Sequence, residues 1–305
     1  MRAQRLQFAR ACGLEFPNRH ETLRGSNHFR RIMMNPIHSS HAIDVHGHYG
    51  RYVGEAGDQL ADGFYSGDAA EVVRRASAVN VVLTIVSPLS ALKPRFQADS
   101  VAGNIEAARV VAQTPELKQY VVIDPLCPQT YAQAEEMLAQ PQCVGIKLHP
   151  EEHGYVIRDH ARPIFEFAAR HRAIMLTHSS DKNSLAADFV PWVNEFPEVR
   201  LILAHIGCGW DGDLTHQVRA IQQSRHGNVF ADTSSVRSIT PGLIEWAVSE
   251  IGADRVLFGT DTPLYHAAMQ RARIDHADLS DDSKRQILRD NALRLFGDSL
   301  GPTAA

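Results

Sequence analysis

The chain has 305 residues, of which 44% are hydrophobic and 22% charged, with a formal net charge of −4. That balance excludes the basic footprint of a nucleic-acid binder and a polybasic membrane-binding surface, and no apolar run approaches the roughly 18 residues needed to cross a bilayer. The length suits one (β/α)8 TIM barrel of about 250 residues with extensions, or two average domains.

Residues 1–40 show no sustained helical or strand periodicity, and Arg2, Arg5, Arg10, Arg19, Arg24, Arg30 and Arg31 face only Glu15 and Glu21. The segment reads as an irregular N-terminal extension. Transit peptides share this Arg-rich, acid-poor character, but Met33 and Met34 stand just before the first strand, so an over-extended start is the preferred reading. The rest, 41–300, reads as a single domain.

From residue 42 the chain alternates short apolar runs with amphipathic stretches, the pattern of repeated βα units and a parallel sheet. Strands are predicted at 42–46, 79–86, 120–123, 144–148, 173–177, 199–204, 228–231 and 255–258. Helices are predicted at 68–78, 101–113, 130–139, 162–170, 184–195, 213–224, 241–251 and 284–296. Pro163 and Pro241 fall near helix starts, where a missing N–H is tolerated, and Thr240 is a candidate N-cap. Eight units without an intervening linker predict the closed barrel. A doubly wound open sheet is the runner-up, but no G-x-G-x-x-G follows the first strand.

Catalytic residues of such barrels come from the carboxyl ends of strands. Here those ends carry His46-Gly47-His48, Lys147-Leu148-His149, His178, His205 and Asp261. Strand side chains alternate between faces, so His46 and His48 point the same way and can reach one ion. By the same parity Leu176 aligns with His178, Leu203 with His205 and Gly259 with Asp261. Imidazoles and a carboxylate suit zinc and harder divalent ions. A single strand-end histidine is more often structural, which applies to His149 taken alone; the ordered set is hard to obtain by accident.

Cys12, Cys127, Cys143 and Cys208 form no CxxC pair, which suits a reducing compartment and small buried filler roles. With no apolar secretory core at the N-terminus, a cytoplasmic protein is expected. Loop candidates for substrate contact are Tyr49, Arg51 and Tyr52 after the first strand, Trp210 and Asp211 after the sixth, and Ser234, Ser235 and Arg237 after the seventh. Arg51 and Arg237 can clamp a carboxylate.

The motifs IDVHGH (43–48), GIKLHP (145–150), LTHS (176–179), LILAHIG (201–207), LFGTDTP (257–263) and DNALRLFG (290–297) make the sequence similar to the amidohydrolase superfamily. Within it, the sequence most resembles the amidohydrolase-related branch that includes aminocarboxymuconate-semialdehyde decarboxylase. The resemblance implies a mononuclear site with His46, His48, His178 and Asp261 as ligands of one divalent ion, zinc first. It also implies that His205 faces the reacting group and that Asp261 doubles as proton acceptor. Lys147 is ambiguous: in binuclear relatives a fourth-strand lysine is carbamylated and bridges two ions, whereas here it can equally pair with a carboxylate or with substrate; His149 is likewise a candidate for a second metal or for substrate.

The expected activity is hydrolysis of an amide, ester or lactone of a small molecule by metal-activated water. The alternative is non-oxidative decarboxylation of an aromatic or muconate-type acid, and a silent barrel acting as a binding protein is a third reading. Dimers are common among soluble enzymes; the sequence leaves a homo-oligomer open.

Overall fold

The computed structural model describes residues 36–301. The expectation for the N-terminal extension therefore falls outside the described residues up to position 35, and Pro36–Ser39 forms a 3-10 turn.

Eight parallel strands follow one another in chain order around a single sheet: β1 (Ala42–Tyr49), β2 (Val81–Pro88), β3 (Leu117–Val122), β4 (Cys143–Leu148), β5 (Ile174–Thr177), β6 (Arg200–Leu203), β7 (Val229–Asp232) and β8 (Val256–Leu257). All eight predicted strands form. The sheet closes because Val45 N donates to Phe258 O at 2.9 Å and Gly47 bridges Thr262 in parallel register, giving a (β/α)8 barrel.

The helices are α1 (Gln59–Phe64), α2 (Ala69–Ser77), α3 (Ser100–Ala112), α4 (Gln129–Met137), α5 (Pro150–His153), α6 (Ile157–His171), α7 (Ala186–Glu195), α8 (His216–Gln223), α9 (Leu243–Ile251), α10 (Ala267–Asp275), α11 (Asp281–Arg285) and α12 (Asn291–Phe296), the last two joined by a π-helical turn. Carboxylates start several of them: Asp58, Asp68 and Asp99 each accept the amide hydrogens of a first helical turn, satisfying donors that have no intrahelical partner.

Three helices were not anticipated: α1 and α5 are too short to show a period, and the apolar residues of α10 do not repeat on one face. Two details differ from expectation. Pro163 lies inside α6, which begins one to two turns earlier at Ile157. Thr240 does not cap α9; Gly242 does, with φ +76°, a left-handed conformation that glycine adopts without a Cβ clash.

β1 is buried on both faces. Its outward Tyr49 packs with Val72, Val86 and Ala107 under α2 and α3, so Tyr49 serves the core rather than the substrate site. At the other end, Leu295 and Phe296 of α12 join Tyr120, Val144 and Ile174 in one buried cluster, and Arg200 at the start of β6 donates to Leu295 O. The C-terminal helix thereby covers the amino ends of the strands and leaves the carboxyl ends open.

Candidate metal centre

Period-2 alternation aims Asp44, His46 and His48 into the lumen, and all three are buried. The intervening Gly47 is a packing requirement: a Cβ there would lie 2.5 Å from Thr84 Cγ2 and 3.1 Å from Thr262 Cγ2. His46 Nε2 and His48 Nε2 lie 3.5 and 3.1 Å from Asp261 Oδ1. Ligands held 2.0–2.2 Å from a tetrahedral ion stand roughly 3.3–3.6 Å apart, so the spacing fits a shared cation.

The outer hydrogen bonds agree. His46 Nδ1 donates to Asp232 Oδ2 at 3.0 Å and His48 Nδ1 donates to Ser87 O at 3.0 Å. With the ring proton committed to Nδ1 in both, each Nε2 presents a lone pair to the centre, the arrangement that orients metal-ligating imidazoles. The ligand atoms of His46, His48 and Asp261 lie within 4.8 Å of one another. This is the donor chemistry of a divalent-metal site.

His178 stands differently from the expected four-ligand set. Its Nε2 donates to Asp181 Oδ2 at 2.6 Å, and its Nδ1 faces His205 Nε2 at 3.1 Å. Among the described residues, two groups of ligand atoms lie within 4.8 Å of one another, His46 with His48 and Asp261 and His46 with His205 and Asp232, and His178 is in neither. Asp181 takes the Nε2 proton, which leaves Nδ1 with the lone pair that a fourth ligand would use. His205 Nδ1 is held by Ser234 Oγ at 2.8 Å, so the paired His178 Nδ1 and His205 Nε2 turn lone pairs towards each other, beside the first three donors.

Strand parity does not set the last two residues. His205 and Asp261 follow the ends of β6 and β8 with φ +70° and +57°, a region that L-residues rarely occupy and that surrounding structure must enforce. Asp232 Oδ1 accepts from His205 N at 3.0 Å, and His46 O accepts from Asp261 N at 2.7 Å. Asp232, unnoticed in the sequence, thus holds both His46 and His205, and Ser234 Oγ donates to its Oδ1. Asp44, also missed, accepts from Thr260 Oγ1 at 2.6 Å and Thr260 N at 3.0 Å and ties β1 to the segment after β8. Their only sequence signal was an acidic residue inside an apolar strand.

Burial governs the charges. It drives His46 well below the ordinary imidazole range, with Lys147 adding to the fall, takes His205 down to about 4 and brings Lys147 down to about 8. Burial lifts Asp44 to about 8. Burial also pushes Asp261 up, but the adjoining His48, with His46 and His205 beside it, outweighs it, so Asp261 stays below the usual carboxylate range. Lys147 is fully buried with Nζ 2.8 Å from His46 Nε2.

The centre forms the floor of a cavity of about 350 Å³, within the range of small-molecule sites. Tyr52, Leu89, Leu92 and Tyr265 supply apolar wall. Arg237 lines it and has no ion-pair partner among the described residues, while Arg51 and Trp210 do not line it. Arg51 is exposed beyond the cavity wall, and Trp210 is 53% exposed with Lys182 Nζ 5.2 Å from its ring centroid. His149 lines the cavity, stacked on His178 at 4.4 Å; burial, then the charges of His178 and Lys147, push it well below the ordinary imidazole range. A polar wall that the sequence did not disclose consists of Lys93 and Arg95, which share Glu152 at 2.8 and 3.0 Å.

A family model described as amidohydrolase matches residues 43–297. No curated protein matches the sequence. Solved structures share the barrel at low identity. The 5-carboxyvanillate decarboxylase of Sphingomonas paucimobilis is 15% identical, with TM-score 0.64, covering 84% of this chain and 98% of its own. The 2,6-dihydroxybenzoate decarboxylase of Rhizobium is 14% identical, with TM-score 0.64 and coverage of 84% and 98%. The dihydroxybenzoic acid decarboxylase of Polaromonas sp. JS666, with bound manganese and the inhibitor 2-nitroresorcinol, is 16% identical, with TM-score 0.66 and coverage of 85% and 97%.

Proposed function

The chain belongs to the amidohydrolase family, and we propose that it is a metal-dependent enzyme that removes carbon dioxide non-oxidatively from a small aromatic carboxylic acid. The observation that carries metal dependence is the convergence of His46, His48 and Asp261 ligand atoms at the open end of the barrel. Three features support the choice of reaction over the hydrolysis first expected: the decarboxylases among the fold neighbours, a cavity of about 350 Å³ walled by Tyr52 and Tyr265, and the unpaired Arg237 on its lining.

A divalent ion bound by His46, His48 and Asp261, zinc or manganese by donor type, supplies positive charge that stabilises developing negative charge on substrate oxygens. The protein does the rest. Arg237 orients the carboxylate through its planar fork, and the apolar wall excludes water. Asp261 takes the proton of a ring hydroxyl and returns it to the ring carbon that bears the carboxylate; the carbon–carboxylate bond then breaks, carbon dioxide leaves, and the phenolate regains a proton from solvent. His205, whose Nε2 carries a lone pair, relays that proton between the ring hydroxyl and Asp261.

Hydrolysis is the second reading, favoured by the family match itself. The test is zinc- and manganese-loaded protein assayed against hydroxybenzoic acids, lactones, esters and amides. Carbon dioxide release without lactone or ester turnover supports the proposal, and the reverse pattern overturns it. No helix among the described residues is long and apolar enough to cross a membrane, and the free thiols of Cys127, Cys143 and Cys208 support a cytoplasmic setting.

A further inference from the structure

We propose that His149 contacts the substrate as a hydrogen-bond donor, presenting Nε2–H to an anionic oxygen, and is not a metal ligand; the substrate class rests on the function proposed above. The tautomer follows from one contact. The Glu152 amide donates to His149 Nδ1 at 3.4 Å, and a backbone N–H can only donate. Nδ1 therefore carries the lone pair and Nε2 the proton.

Ligation is excluded by the same contact. A metal on Nε2 requires the ring proton on Nδ1, which would set it against the Glu152 N–H, two donors facing each other with neither satisfied. Nδ1 itself is turned to the amide of α5 and away from the centre.

The ring is also fixed in place. It stacks on His178 at 4.4 Å with an interplanar angle of 9°, and Asp181 pins His178 in turn. Behind it, the Glu152 carboxylate is clamped between Lys93 and Arg95, which holds the amide that sets the tautomer. His149 lines the cavity, and Nε2 has no partner among the described residues. A rigid N–H that opens on a cavity and lacks a protein acceptor is suited to a ligand oxygen.

The test uses zinc-loaded protein labelled with 15N at histidine, the His149 signals being assigned by their loss in His149→Gln. The expected spectrum has a protonated Nε2 and an unprotonated Nδ1, with Nε2 shifting on titration of 2-hydroxybenzoate. His149→Phe should loosen that probe at least about tenfold, the scale of one lost hydrogen bond to a charged group, while His149→Gln, which retains an N–H donor, restores most of the affinity. Zinc content should be equal in all three proteins. A proton on Nδ1, or zinc lost in His149→Gln, overturns the assignment; so does probe affinity unchanged in His149→Phe. A protein that binds the probe in this way yet releases no carbon dioxide overturns the decarboxylase reading and leaves the donor assignment standing.

Discussion

Lys147 Nζ lies 2.8 Å from His46 Nε2, with both side chains sealed from solvent. A buried ammonium so close to a candidate ligand opposes a second cation at that nitrogen, because Coulomb repulsion is weakly screened in the interior. Replacing Lys147 with Met should therefore preserve one divalent ion per chain and tighten its binding, as read by metal titration with a competing chelator. Two ions in the wild type, falling to one in Lys147→Met, would instead identify a bridging carbamylated lysine.

Asp261 and His205 separate by role. Asp261→Asn should lose stoichiometric metal and turnover together, because it removes an anionic ligand at the shared position. His205→Gln should keep the metal and slow kcat by about 10²- to 10⁴-fold, the usual scale for a lost proton-transfer group. Metal analysis beside steady-state kinetics distinguishes the two; metal loss in His205→Gln would make it a ligand.

Asp232 is buried and touches no solvent or cavity, yet it fixes the His46 ring and the His205 main chain. Asp232→Asn should weaken metal affinity by about 10- to 100-fold, as for other groups that orient metal ligands, with a folded far-UV spectrum. Unchanged affinity would reduce Asp232 to a packing role.

Gly47 is closed to any side chain by Thr84 and Thr262. Gly47→Ala should cost about 1–3 kcal/mol through overpacking, measured by denaturant titration, and should disturb the His46–His48 pair it separates. A variant as stable as the parent would mean that the β1–β8 seam yields freely.

Glu245 on α9 and Arg273 on α10 form two N–H···O contacts across their helices. The Arg273 hydrogen bonds hold Glu245 down at about 2 against an ordinary 4.5. A depressed carboxylate contributes stability above its unfolded value and loses it as protons bind on the way down. The stabilising contribution should thus be complete above about pH 5 and fade between 4.5 and 2. Melting temperatures of wild type and Glu245→Gln should converge through that window; a constant gap would show that the pair does not titrate with folding.

The amino-acid order alone determined the eight strands, their parallel sequence and the facing pair His46 and His48. These follow from local physics: β-branched runs set strand positions, alternation every second residue sets faces, and short connections leave few topologies. It also placed Lys147, His149, His178, His205 and Asp261 at the carboxyl ends. It left α10 unseen, because a helix packed without a clean apolar stripe carries no period.

Only the tertiary structure decided what each of those side chains faces. His178 turns to Asp181, Lys147 reaches His46, Arg237 lines the cavity while Arg51 and Trp210 stay off its wall, Asp44 ties β1 to the segment after β8, and Asp232 braces the centre from β7. The reason is that orientation beyond a strand end depends on φ and rotamer, and at His205 and Asp261 these are imposed by hydrogen bonds from other strands. Alternation extends no further than the ladder that enforces it.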